Sequence, residues 1–186
     1  MMRLARSLLL AVFFGLAVVG CGVQRESSMD MQAAAERSDT ILDAVLREVR
    51  PELRWVHGPT TVGSCDLTRR RVVMTDVSAA RRGNLLGVVD RFWRKSGYRM
   101  TAVNNDEVFP AIYAQTRDGF SVSLRIGGKG QAFFQVDSPC VRESAVADST
   151  SQATAPTFEG EFIPRPNIHS DFWSATAPEV GVTSGP

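Results

Sequence analysis

The sequence is poor in the residues that build metal centres and disulfide-rich scaffolds, with three Cys and two His among 186 residues. So few cysteines exclude a small fold held together by many disulfides. His57 and His169 are far apart in the chain and have no Cys or carboxylate at metal-ligand spacing, so no metal site is predicted. The sequence also lacks a nucleophile-elbow motif and a recognisable pair of catalytic carboxylates. We therefore predict a protein that is not an enzyme and has no cofactor.

The composition is that of an ordinary globular protein, with 44% hydrophobic and 22% charged residues. A chain of this length accommodates one domain with additional segments, which excludes a multidomain enzyme. Charge is distributed unevenly, because residues 51–142 contain 14 basic and 8 acidic side chains, whereas residues 143–186 contain one basic and 6 acidic side chains. The central part of the chain is therefore basic and the C-terminal part is acidic.

The N-terminus has the pattern of an export signal, in which arginines precede an apolar run over residues 8–19. As a helix this run would reach about 18 Å, which is too short for a bilayer core of about 30 Å. It ends in Val18-Val19-Gly20-Cys21, which resembles the lipobox of bacterial lipoproteins. The resemblance implies that residues 1–20 are a signal peptide and that Cys21 is lipidated. The alternative is an ordinary secretory signal that leaves Cys21 as a free thiol.

A diacylated Cys21 would anchor the protein stably, since two acyl chains on one residue are enough for lasting attachment to a membrane. We therefore expect the protein on the extracytoplasmic face of the cell membrane, with residues 21–30 as a polar tether. This location argues against nucleic acid as a partner, despite the basic central region. We expect a monomer whose partners are the membrane and either an envelope protein or an anionic wall polymer.

The other two cysteines, Cys65 and Cys140, are 75 positions apart. An even pair in an exported protein is expected to form a disulfide, because the compartment is oxidising. Closing a loop of this length would stabilise the fold by about 4 kcal/mol. The alternatives are a reactive Cys65 with His57 as its base, and a metal site.

Apolar residues recur at helical spacing in two segments. The first includes Ile41 and Val49 and ends before Pro51, and the second extends from Ser78 as N-cap to Gly97. Six other runs are typical of strands, namely residues 53–57, 70–75, 98–103, 109–116, 120–126 and 131–136. The pattern predicts an α+β domain over residues 31–142, a two-layer sandwich of two amphipathic helices and a mainly antiparallel sheet of about five to six strands.

The C-terminal segment, residues 143–186, is rich in Ala, Ser, Thr and Pro and shows neither helical nor strand periodicity. This composition predicts a largely disordered acidic tail. Residues 158–173 are the exception, because they contain several aromatic side chains. The sequence leaves open whether that part docks onto the basic domain.

Several short motifs occur together in the central region: Trp55, Gly58-Pro59-Thr60-Thr61, Cys65-Asp66, Arg69-Arg70-Arg71, Lys95-Ser96-Gly97-Tyr98 and the run 127–140. In this combination, residues 55–141 resemble a family of small actinobacterial cell-surface lipoproteins without a known activity. The resemblance implies a surface location and a pair of cysteines, and it implies no chemistry.

Two surfaces are candidates for binding a partner. One is a basic patch that would attract anionic lipid headgroups or wall polymers, and the alternative, which the pattern favours, is that the same residues form a solvated edge. It consists of Arg69, Arg70, Arg71, Arg81 and Arg82. The other is the sheet face that the helices leave uncovered, around Tyr113, Arg125 and Phe133.

The sequence thus predicts a membrane-anchored lipoprotein that acts as a non-catalytic binding module at the cell envelope. The alternative is a small-ligand carrier, or an enzyme with a cleft that the sequence does not reveal.

Overall fold

The computed structural model of the chain describes residues 29–158 and 162–176, in which two helices pack on one face of an antiparallel sheet. The helices are α1 (Met31–Glu48) and α2 (Ala79–Lys95). The strands are β1 (Trp55–His57), β2 (Thr61–Val62), β3 (Leu67–Val73), β4 (Arg99–Asn104), β5 (Ala111–Gln115), β6 (Ser121–Ile126) and β7 (Ala132–Asp137). The predicted α+β class is confirmed.

Helix α1 begins ten residues before Ile41, where the apolar stripe seen in the sequence starts. Asp30 explains the early start, because its carboxylate accepts the backbone N–H of Ala33 at 2.9 Å and caps the helix. The first turns present small or flexible side chains to the sheet, including the buried Met31 and Ala34. Helix α1 ends three residues before Pro51, whose ring cannot continue a helix.

Helix α2 begins directly after Ser78, at the N-cap position that the sequence indicates. The Ser78 hydroxyl does not cap the helix, however, because it donates to the carbonyl of Ala175 in the C-terminal segment. Leu85, Val89 and Trp93 are fully buried at a spacing of four residues. The helix ends before Gly97, whose φ of +78° is a conformation that glycine adopts without strain.

The strands lie in the order β1-β3-β7-β6-β5-β4, and β2 pairs with β3. All these pairs are antiparallel, and β4 to β7 form a meander. Strand β3 pairs with β7, which is the last strand in chain order. An early and a late segment of the chain therefore lie side by side within the sheet. The strand order was not available from the sequence. Strand β2 was absent from the sequence-based assignment.

Cys65 and Cys140 lie at disulfide distance, with their Cα atoms 4.8 Å apart. Cys65 precedes β3, Cys140 follows β7, and these two strands are neighbours. The backbone N–H of Val141 also donates to the carbonyl of Cys65 at 2.6 Å. The predicted cysteine pair is therefore confirmed, and it fixes the strand that enters the sheet early to the strand that enters it last.

The prediction of a disordered tail from residue 143 is wrong for the part of it that the structure describes. In residues 143–158, the N–H groups of Thr154 and Ala155 both donate to the carbonyl of Trp55, at 3.1 and 3.0 Å. Ala155 is buried against Val56 and Val72. The segment thus covers the outer edge of β1, where backbone groups would otherwise lack partners.

The aromatic part of the tail also docks onto the domain. Trp173 is fully buried in the main core, and its indole N–H donates to the carbonyl of Pro51 at 2.6 Å. The N–H groups of Asn167 and Ile168 donate to the carbonyl of Met74. The ordering arises from burial of aromatic side chains and from backbone hydrogen bonds.

The proposed signal peptide, the lipobox with Cys21, most of the tether and residues 177–186 lie outside the described residues. Within the described ranges, neither helix is long and apolar enough to cross a membrane.

Candidate functional site

The five arginines of the predicted basic patch do not form one surface. Arg69, Arg71 and Arg81 are buried, with 4%, 0% and 4% of their surface exposed. Arg69 and Arg71 alternate with Arg70 along β3, so they point to the helix-covered face while Arg70 points to the open face. The prediction of a five-residue anion-binding patch is therefore wrong, because strand alternation divides the triplet between two faces.

Arg71 lies in a polar network inside the domain. Its guanidinium donates to Asp39 at 2.7 Å and to Ser149 at 3.2 Å, and it lies 4.6 Å above the ring of Trp55. Asp43 lies 3.5 Å from the same nitrogen. Buried charges are tolerated when they are paired and hydrogen-bonded, and this network ties α1, β3 and the tail together. Arg71 is thus a structural residue.

Arg69 and Arg81 are also committed to structural contacts. Arg69 lies 3.6 Å from the carboxylate of Asp39 and donates to the carbonyl of Ala147 at 2.6 Å. Arg81 lies 4.2 Å above the ring of Phe172, an arrangement that stabilises a cation over an aromatic face. Arg82 is half-buried and donates to the carbonyl of Val108. Of the original patch, Arg70 alone faces the open side of the sheet.

A different pair of arginines converges on that open face. The Nε of Arg70 and an Nη of Arg125 donate to the same acceptor, Oε1 of Gln135, at 2.8 and 2.7 Å. The two donor nitrogens are thus at most 5.5 Å apart, which is the sum of the two bond lengths. Within the part of the chain that the structure describes, neither guanidinium has a carboxylate partner. Two positive charges therefore share one neutral amide oxygen.

The orientation of the Gln135 amide is set by its other end. Its nitrogen donates to both carboxylate oxygens of Asp137, at 2.8 and 3.0 Å, and Asp137 also accepts the hydroxyl of Thr68 at 2.7 Å. A carboxylate accepts only, so the amide nitrogen must face Asp137 and the amide oxygen must face the arginines. Asp137 is therefore a positioning residue for the pair of guanidinium groups.

The two guanidinium groups lie at the wall of a groove of about 460 Å³. Its other polar side chains are Asn104 and Tyr113, and among the described residues the Tyr113 hydroxyl has no hydrogen-bond partner. The rest of the lining is apolar or glycine: Pro59, Val72, Phe109, Ala111, Ile126, Gly127, Phe133 and Ile163. A second depression of about 350 Å³ shares Tyr113 and Arg125 with the first.

The sequence had pointed to this face through Tyr113, Arg125 and Phe133, and the structure brings all three into the groove. It had missed that Arg70 belongs with them and that Gln135 joins the two arginines. A signal was present, because Gln135 and Phe133 alternate with the buried Phe134 and Val136 along β7. No pattern in the sequence indicated that Ile163 of the tail lines the groove.

The structure argues against a reactive Cys65 with His57 as its base. Cys65 is paired with Cys140, which leaves no thiol for a reaction with His57. The His57 Nε2 donates to the carbonyl of Ser151 at 2.9 Å, and burial, followed by the nearby charge of Arg71, lowers the pKa of His57 below its usual value. Among residues 29–158 and 162–176, no cluster of three or more His, Cys, Asp or Glu could hold a metal ion.

No protein-family model, no curated protein and no solved structure matches this chain.

Proposed function

We propose that this protein is a lipid-anchored, non-catalytic binding module on the extracytoplasmic face of the cell membrane, and that the groove on its open sheet face binds an anionic ligand. The sequence supports the anchor through the lipobox at Cys21 and the export signal before it. The resemblance of residues 55–141 to actinobacterial lipoproteins agrees with this location.

The observation that carries the proposal is the shared acceptor of Arg70 and Arg125. Guanidinium groups bind carboxylates and phosphates through several N–H donors at once, and each of these two has donated only one N–H within the described structure. An anion in the groove would complete their hydrogen bonding and relieve the repulsion between them. Because the groove lining contains no His, Cys, Asp or Glu, it supports binding better than acid–base or nucleophilic catalysis.

Arginine footprinting in intact cells tests the proposal without knowledge of the ligand. Cells carrying the full-length protein are treated with phenylglyoxal, and the modification of Arg70 and Arg125 is compared with that of the purified protein after extraction of bound small molecules. Arg91 on α2 is an exposed arginine outside the groove and serves as the internal control. We expect Arg70 and Arg125 to be protected in cells at least threefold relative to Arg91. Equal reactivity before and after extraction would contradict a groove that is occupied at the envelope.

A further inference from the structure

The open sheet face changes from polar to apolar along the strand direction. Strand register places its residues in rows that cross β3, β7, β6 and β5. The first row is polar, and it consists of Thr68, Asp137, Ser121 and Gln115. The second row contains Arg70, Gln135, Ser123 and Tyr113, and the third contains Val72, Phe133, Arg125 and Ala111.

The apolar surface continues beyond the third row. Phe109, which is 50% exposed, and Ile163 from the tail both line the groove there, and Ile163 and Phe133 both pack against the small buried cluster that contains Val72. Successive rows are about 7 Å apart, because two residues separate them along a strand. The groove is thus an apolar trough, and Arg70 and Arg125 lie where it meets the polar half of the face.

We infer that this groove binds a single-chain amphiphile with an anionic head group. The head lies between Arg70 and Arg125, and the hydrocarbon chain extends over Phe133 towards Phe109 and Ile163. This inference rests on the proposed function, because it names the class of ligand for the same site.

We expect an anionic head group because neither arginine binds a carboxylate directly in the described structure, and the nearby Asp137 is held by the other end of the Gln135 amide. A carboxylate or phosphate can accept from both guanidinium groups, and the free hydroxyl of Tyr113 on the neighbouring strand adds a further donor. A neutral head would leave two positive charges beside a newly desolvated groove, which disfavours binding. The lining contains no acidic residue that could serve a cationic or zwitterionic head.

We expect the rest of the ligand to be a hydrocarbon chain, because the groove lacks the features that a charged polymer or a peptide strand would need. A wall polymer with repeated charges needs a row of cations, and the groove has two. A peptide strand needs free backbone donors and acceptors, but those of β3, β7, β6 and β5 are engaged in the sheet. The volume of about 460 Å³ lies in the lower part of the range for small-molecule sites, which favours one chain over two.

Photo-crosslinking in intact cells tests this ligand class with the full-length protein. Cells take up a palmitic acid analogue that carries a diazirine and an alkyne, and half of them are irradiated. Acylation of Cys21 by the analogue occurs without light, whereas an adduct in the groove requires light. Adducts are mapped by mass spectrometry, with palmitate and the neutral monopalmitoylglycerol as competitors of equal chain length.

We expect a light-dependent adduct on peptides that contain Tyr113 or Phe133. Palmitate should compete with it and monopalmitoylglycerol should not. The Arg70→Gln/Arg125→Gln variant should lose at least 80% of the adduct, whereas Arg91→Gln should retain it. If the double variant does not accumulate, Gln135→Glu provides the same test, since its carboxylate supplies a counter-charge to the pair without removing an arginine.

Absence of a light-dependent adduct in the groove, or equal competition by the neutral lipid, would overturn the inference. Footprinting separates this failure from failure of the proposed function. If Arg70 and Arg125 are protected in cells while no adduct forms, the ligand is an anion of another class. If neither protection nor an adduct is seen, the groove is not a binding site.

Discussion

Arg70 on β3 and Arg125 on β6 stand on opposite sides of β7, and both donate to one oxygen atom of Gln135 that lies between them. Neither has a carboxylate partner in the described structure, although the same domain pairs its buried Arg71 with Asp39. The carboxylate of this cluster, Asp137, is bound by the amide nitrogen of Gln135 and by neither arginine. The groove beside the two arginines is the site that we propose for an anionic ligand.

Replacing Gln135 with Glu should abolish anion binding in the groove. A carboxylate at this position would lose the two hydrogen bonds to Asp137, but it would accept from both arginines through charge-assisted hydrogen bonds, which are roughly twice as strong as neutral ones, and would take the place of the ligand's head group. We expect light-dependent labelling by the palmitate analogue to fall at least tenfold. Gln115→Glu is the matched control, because it adds the same charge to the same face beside Arg99 and outside the groove. Equal labelling of wild type and Gln135→Glu would argue against the site.

Removal of Arg71 should destabilise the fold strongly. Arg71→Ala leaves Asp39 in a mostly buried position without its closest partner, and loss of one member of a buried ion pair typically costs about 3–5 kcal/mol. Urea unfolding monitored by tryptophan fluorescence measures the change in free energy. Arg71→Lys should be more stable than Arg71→Ala, since it keeps a positive charge beside Asp39, which Arg69 approaches only to 3.6 Å. If Arg71→Ala unfolds like the wild type, the network is not structural.

The tail should contribute to stability through Trp173. Its indole ring is fully buried, so Trp173→Ala removes a large side chain from the core and is expected to cost about 3–5 kcal/mol of unfolding free energy. Phe162 is an aromatic residue of the same segment that is 83% exposed, and Phe162→Ala should change stability by less than about 0.5 kcal/mol. Thermal unfolding of the two variants side by side distinguishes a docked tail from a spacer. Identical midpoints for both would show that the tail does not stabilise the domain.

The cysteine pair should provide a large share of the stability. Cys65 and Cys140 close a loop of 75 residues, for which chain entropy predicts about 4 kcal/mol. Reduction of the wild type, or the Cys65→Ser/Cys140→Ser variant, should therefore lower the midpoint of denaturant unfolding. Cys21→Ser is the matched control. Its midpoint of denaturant unfolding should equal that of the wild type under oxidising conditions and also under reducing conditions. A midpoint that does not respond to reductant would contradict the bond.

Stability should fall on mild acidification because of His57. Its pKa in the folded protein is lowered, first by burial and then by Arg71, so the unfolded chain takes up a proton at a higher pH than the native protein does. The free energy of unfolding therefore decreases as the pH falls below the usual pKa of a free His, about 6.5, until the pH reaches the lowered folded pKa. His57→Gln should flatten the profile in this window. His169→Gln, which alters an exposed His of the tail, is the matched control variant.

The fold class and both helices could be predicted because each depends on periodicity within one segment. Leu85, Val89 and Trp93 mark one helical face whatever they pack against. The pairing of Cys65 with Cys140 could be predicted by counting cysteines. The sequence has three, and the lipobox resemblance sets Cys21 aside.

The buried arginines could not be predicted because their burial depends on partners distant in sequence. Arg71 is inside only because Asp39 and Ser149 meet it there, and no local pattern indicates those contacts. The docked tail was missed for a similar reason. Trp173 lies in a segment that shows neither helical nor strand periodicity. The carbonyl of Pro51 that accepts its indole N–H is in place only in the folded domain.

Native mass spectrometry of the full-length protein, isolated from its own membranes in a non-ionic detergent, tests the central claim most directly. The lipid that we propose on Cys21 would be covalent and would add the same mass to every variant, so it would cancel in the comparison. We expect the wild type and Arg91→Gln to carry an additional non-covalent mass of a single-chain anionic amphiphile, and Arg70→Gln/Arg125→Gln to lack it. Identical spectra for all three proteins would contradict the claim that this groove is a binding site for such a ligand.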